Sequence, residues 1–153
     1  MTANISSHLR WYGGVFGNSA IELAGRVVHP DYQSQGIATE LLAQLVEHES
    51  PKYLTTYTRN PSILRMIAKV SEALYPVQPD STLQSIASQL PDASGLGDAH
   101  YHLNRYSETG LFHGNDPADR PYGVNDISLK ERFEHLHNIR NALVVVARVR
   151  RNR

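Results

Sequence analysis

The sequence predicts an α/β fold: a mixed sheet around a parallel βαβα core, with helices on its faces. Residues 20–28 alternate with the two-residue period of a strand. Residues 37–46 place apolar side chains at helical spacing, and the Tyr- and Thr-rich run 53–58 is followed by a second helical pattern. A strand, helix and strand of these lengths imply a right-handed parallel crossover.

Each element follows from local chemistry. Residues 9–16 and 20–28 are apolar stretches on either side of Gly17-Asn18-Ser19, which reads as a β-hairpin. In the second strand Ile21, Leu23, Gly25 and Val27 share one face, and Glu22, Ala24, Arg26 and Val28 share the other; Gly25 marks a bulge or a close backbone approach. After a proline turn, Ile37, Leu41, Leu42, Leu45 and Val46 form an apolar stripe opposite Thr39, Glu40, Gln44, Glu47 and His48, in a helix expected to end near Ser50-Pro51. Asn60-Pro61 opens the next helix, with Asn at the N-cap and Pro in the first turn. Ile63, Ile67, Val70 and Leu74 line one side of it, and Tyr75-Pro76 is expected to stop it. Ser81-x-x-Gln84 is a capping-box signature before Leu83, Ile86, Ala87 and Leu90. Residues 100–106 are expected to form a strand, and Ser128-x-x-Glu131 to open a helix carrying Leu129, Phe133 and Leu136. The run 143–147 reads as a buried strand. The expectation is one domain, with a core at 20–76 and a C-terminal segment at 77–153 that contains the inserted helix.

At 153 residues the chain suits one domain with a substantial core. Lys and Arg number 15, as do Asp and Glu, a balance that argues against a basic nucleic-acid surface despite the cationic run 148–153. With no cysteine, disulfides, thiol nucleophiles and Cys-ligated zinc are excluded. No apolar segment approaches membrane-spanning length, and residues 1–10 lack the apolar core of a secretory signal, so a cytoplasmic protein with no membrane partner is expected.

The junction at residues 27–39 is the most informative feature. A β-branched strand breaks at Pro30 and re-emerges as a helix whose first N–H groups lack intrahelical partners and carry partial positive charge. Gly36 allows close backbone approach, Ala38 keeps the next turn slim, and Gln33 and Gln35 offer polar side chains at the rim. An ordinary strand-turn-helix shares these parts. The run Gln33-x-x-Gly36-x-Ala38, with the helix, strand and helix that follow it to about residue 76, resembles the GNAT superfamily of N-acetyltransferases.

The resemblance implies a GNAT-like fold closed by an antiparallel strand pair, here residues 100–106 with 142–149. It also implies acetyl-CoA as cosubstrate, no metal, and transfer of the acetyl group to a primary amine of an acceptor the sequence does not identify. Coenzyme binding falls to Val27 and Val28 on the splayed strand. Gln33, Gln35, Gly36, Ile37, Ala38 and Thr39 make up the pyrophosphate loop, whose N–H groups at 35–39 hold the anion, and Asn60 contacts the pantetheine arm. Glu22 is the acid on the pre-loop strand that the resemblance assigns as base. The helical tyrosine that commonly protonates the thiolate is absent, since Met66 and Ile67 occupy its window; Tyr75 or Tyr57 is the substitute.

Only 20 residues precede Ile21, where such domains usually carry a strand, two helices and further strands. The expectations are a shortened member, a site completed by a partner chain, or a start inside a longer reading frame. The aromatic Trp11, Tyr12 and Phe16 on the first strand point to a homodimer, against which stands a fold-back of residues 77–141 over the same surface. Other readings are a non-catalytic acyl-CoA-binding or interaction module and a metal-dependent hydrolase. The last draws on His100-x-His102, His113 and His135-x-His137. On a helix, however, His135 and His137 diverge by about 200°, which disfavours a shared metal.

Overall fold

The structure, a computed structural model, describes residues 6–11, 19–27, 35–90, 101–102, 105, 138 and 140–151. β2 (Ala20–Val27) and β3 (Tyr53–Thr58) lie parallel, joined by α1 (Ile37–Glu49), as the crossover pattern predicts. The helix ends at Ser50, whose backbone adopts the left-handed conformation while its N–H returns to the Val46 carbonyl. β1 (Ser6–Trp11) pairs antiparallel with β2 on its outer side. It begins ahead of the expected 9–16; of that expected span, residues 12–16 lie outside the described residues.

The second helix is shorter than its apolar spacing predicts. α2 (Pro61–Val70) stops where the Ser71 hydroxyl donates to the Ile67 carbonyl at 2.7 Å and Ser71 turns extended. The chain continues as β4 (Ser71–Tyr75), so Leu74 and Tyr75 belong to a strand and the core reads βαβαβ. Leu74 fits either period, because it follows Val70 by four residues and also alternates within 71–75. A distant partner decides: β6 (Ala142–Val149) runs antiparallel to β4 and supplies a hydrogen-bond ladder that a helix could not use.

β6 lies between β3 and β4, antiparallel to both, in the order β1-β2-β3-β6-β4. The closing antiparallel pair therefore forms chiefly between 71–75 and 142–149. Of the expected strand at 100–106, β5 (Tyr101–His102) pairs with the start of β6. Being central, β6 is buried on both faces, which is why it reads as an unbroken apolar run. Leu143, Val145 and Ala147 pack with Ile21, Leu54, Leu42, Leu64 and Ile67 beneath α1 and α2. Val144 and Val146 face the other way, with Tyr53, Tyr75 and α3 (Ser81–Ser88), whose Leu83, Ile86 and Ala87 are buried. One helix of the segment 77–141 thus covers the sheet face opposite α1 and α2. The expected helix from Ser128 lies outside the described residues.

The cap of α3 falls one residue before the predicted box. Asp80 is the N-cap, accepting from the Leu83 N–H at 3.0 Å, and its other oxygen meets Arg148 Nη2 at 3.0 Å. The Leu83 hydrogen bond, joined by the charge of Arg148, holds the Asp80 carboxyl below the usual carboxylate range. A carboxyl depressed by folding adds stability above its unfolded pKa, about 3.9, and that contribution is lost as pH falls through the folded value. Asp80→Asn keeps a capping oxygen but cannot titrate. Denaturant unfolding measured from pH 6 down to pH 3 should therefore show a shallower loss of stability in this variant than in the wild-type chain; parallel curves would remove Asp80 from the acid response.

Candidate functional site

The ladder between β2 and β3 is incomplete. Its register runs Ala20 to Tyr53, Ile21 to Leu54 and Glu22 to Thr55, yet β2 continues to Val27 and β3 to Thr58. On the other side of β2, the pairing with β1 shifts between His8 and Leu9, opposite Gly25 and Leu23, so Ala24 is an extra residue. A bulge of this kind bends its strand and re-aims it. It falls beside Gly25, as the sequence suggests, and just where β2 leaves β3. Beyond the last rung, the Thr56 hydroxyl donates to the Leu23 carbonyl at 2.8 Å.

The start of α1 has the form an anion needs. Gly36 is the N-cap, with φ 81°, and no side chain caps the helix. A Cβ at Gly36 would meet nothing within 4 Å, so the left-handed glycine borders open space. The N–H groups of Thr39 and Glu40 both return to the Gly36 carbonyl, at 2.9 and 3.0 Å. Thr39 thus spends its backbone donor on the first turn, and its hydroxyl is the group it can bring to a ligand. Gln35 is exposed at the rim, while Ile37 and Ala38 are half-buried. Val27 is the last residue of β2, and Val28 and Gln33 lie outside the described residues.

Asn60, the expected pantetheine contact, caps α2: its Oδ1 accepts from the Ser62 N–H at 2.9 Å, and its own N–H donates to Thr58 Oγ1 at 3.0 Å. A hydrogen bond to a cofactor must then come from Nδ2. Next to it, Arg59 is only 1 % exposed, and its Nη1 donates to the Asn138 and Asn141 carbonyls at 3.0 and 3.1 Å. Sequence reading passed over this arginine, because nothing local distinguishes a buried one from a solvated one.

On the α3 side of the sheet, Glu22, Thr55, Val146 and Tyr75 form one row across β2, β3, β6 and β4. Glu22 is 2 % exposed, and Thr55 beside it is 1 % exposed with a hydroxyl that finds no hydrogen-bond partner. Tyr75 stands three strand spacings from Glu22, roughly 14 Å between backbones, packed against α3. Burial raises its pKa. It occupies a strand in the core and not the helix end expected from the sequence. Tyr57 follows Thr55 on the same face of β3, one step past the last rung, with Arg105 4.7 Å from its ring centre.

A strand pair that parts, followed by an uncapped glycine-started helix, is the geometry anticipated from the loop pattern. The model of the acetyltransferase (GNAT) family matches residues 5–69, from the edge of β1 to the end of α2. Over these residues the chain is similar to the GNAT family. No curated protein and no solved structure matches it. GNAT proteins are generally acyltransferases that bind acyl-CoA, and the described residues of this chain suit that group. Open space at Gly36 and the uncapped turn suit a pyrophosphate, and the gap between β2 and β3 suits an extended, amide-bearing arm. Met66 and Ile67, in the window of the usual helical tyrosine, are core residues. Among the described residues no cluster of His, Cys, Asp and Glu is arranged to hold a metal ion, and no helix is long and apolar enough to cross a membrane. His100, His113, His135 and His137 lie outside the described residues.

Proposed function

We propose that this protein is an acyltransferase of the GNAT type that transfers an acetyl group from acetyl-CoA to a primary amine. The observation that carries the reading is the ladder that stops at Glu22 and Thr55 while β2 runs on to Val27, together with the uncapped start of α1 at Gly36. Gly36, Ile37 and Ala38 take the pyrophosphate, with Gln33, Gln35 and the Thr39 hydroxyl as further contacts, and the backbone of Val27 and Val28 takes the pantetheine arm with Asn60 Nδ2. Acetyl-CoA, when bound, supplies an activated thioester. The buried Glu22 carboxylate, at the mouth of the gap, takes up the proton of the attacking amine, and the Tyr57 hydroxyl is the nearer of the two tyrosines to return one to the leaving sulfur. Tyr75 serves packing in this reading, because Thr55 and Val146 separate it from Glu22.

The test is thiol release from acetyl-CoA in the presence of a panel of primary amines, run beside calorimetric binding of acetyl-CoA. Glu22→Gln should lower kcat by about 100-fold or more with the acetyl-CoA Kd unchanged. Tight acetyl-CoA binding with no amine-dependent thiol release would instead establish the non-catalytic acyl-CoA-binding module, a reading favoured by the core placement of Met66 and Ile67.

A further inference from the structure

β3 presents two consecutive threonines at the point where it leaves β2, and both are buried. Thr56 is 4 % exposed and shares its strand face with Leu54, which packs beneath α1 and α2. At such a position valine has the same shape and no polar atom to desolvate. What the hydroxyl provides is its 2.8 Å bond to the Leu23 carbonyl, across the gap between the strands. In a continued parallel ladder that carbonyl would accept from a backbone N–H of β3, and the strands would stay about 4.8 Å apart. A bond through Cβ and Oγ1 satisfies the carbonyl without bringing the backbones together.

Building on the acyl-CoA reading above, we infer that Thr56 is a positioning residue: its hydroxyl props β2 and β3 apart at the apex of their divergence and so keeps open the slot that receives the pantetheine arm. Two features support this. The bond is the first link between the strands past the Glu22–Thr55 rung, and it reaches Leu23 just before the extra residue Ala24 turns β2 away. Without the hydroxyl, the Leu23 carbonyl is either left without a donor in a buried place or satisfied by a β3 N–H. The second outcome closes the slot.

The experiment measures acetyl-CoA binding by calorimetry, and kcat and KM where turnover is found, in the wild-type chain, Thr56→Val and Thr56→Ser. Ile67→Val, a core truncation under α2 of comparable cost, controls for lost stability. The expected result is an acetyl-CoA Kd at least 10-fold weaker in Thr56→Val, near wild type in Thr56→Ser and unchanged in Ile67→Val, with kcat at saturating acetyl-CoA affected less than KM. If Thr56→Val does not fold, Thr56→Ala takes its place with the same expectation. Wild-type affinity in a folded Thr56→Val or Thr56→Ala overturns the role of Thr56 and leaves the acyl-CoA reading standing. A wild-type chain that does not bind acetyl-CoA overturns both.

Discussion

Gly36→Val should weaken acetyl-CoA binding by about 100-fold, on the order of 3 kcal/mol, in a protein that still folds. The two halves of that expectation have separate causes. Gly36 sits at φ 81°, where a side chain is strained by roughly 1–2 kcal/mol and a β-branched one by more, so a modest loss of stability is built in. A Cβ there meets nothing within 4 Å, so the ligand-free fold has no clash to relieve. In the proposed reading, however, the open space is what the pyrophosphate enters to reach the first N–H groups of α1. Two branched methyls would fill it, whereas the single methyl of Gly36→Ala should give an intermediate loss. Calorimetry on folded variants checks this, and wild-type affinity in Gly36→Val would remove the loop from the binding site.

The largest effect on stability is expected at Arg59. Arg59→Met keeps the length of the side chain and much of its apolar contact but removes the donor that serves the Asn138 and Asn141 carbonyls. Asn141 is buried and Asn138 is exposed, so only the Asn141 carbonyl loses its donor out of reach of water, at a cost of about 1–3 kcal/mol. For a chain of this size that lowers the Tm by roughly 5 °C. Replacing a buried charge with an apolar group is often neutral when its partner is replaced as well, but the Asn138 and Asn141 backbone carbonyls remain. Arg59→Lys should recover little, because one ammonium on a flexible stem does not reproduce the fixed fork of a guanidinium. A shift below about 2 °C in Arg59→Met would show that the stretch before β6 is held by other contacts.

These two sites differ in how far the sequence reveals them. Gly36 is legible: a glycine between a polar rim and an apolar helical stripe has few explanations, and the spacing Gln33-x-x-Gly36-x-Ala38 narrows them further. Glu22 is legible as the acid of the pre-loop strand. That it is buried at the last rung, next to an unsatisfied Thr55 hydroxyl, follows only from the pairing of β2 with β3. Tyr75 shows the reverse. Its phenol invites a catalytic reading, but β6 draws residues 71–75 into a strand and turns Tyr75 onto the α3 core.

By itself the sequence determined what is decided within a few residues. This covers the two-residue period of β2, the stripe of α1, the Asn60 cap with Pro61 behind it, the unbroken apolar run of the central strand, and the glycine at the start of α1. Each rests on a backbone preference or a period that acts locally. Only the tertiary structure decided where α2 gives way to β4, which strands flank β6, where β2 and β3 part, and that Thr56 and Arg59 are buried with partners. Those outcomes depend on partners far along the chain: the bonds of Thr56 and Arg59 reach 33 and 82 residues. A residue's own pattern cannot specify such a partner, because a carbonyl or a strand edge is satisfied by whatever donor the fold brings to it.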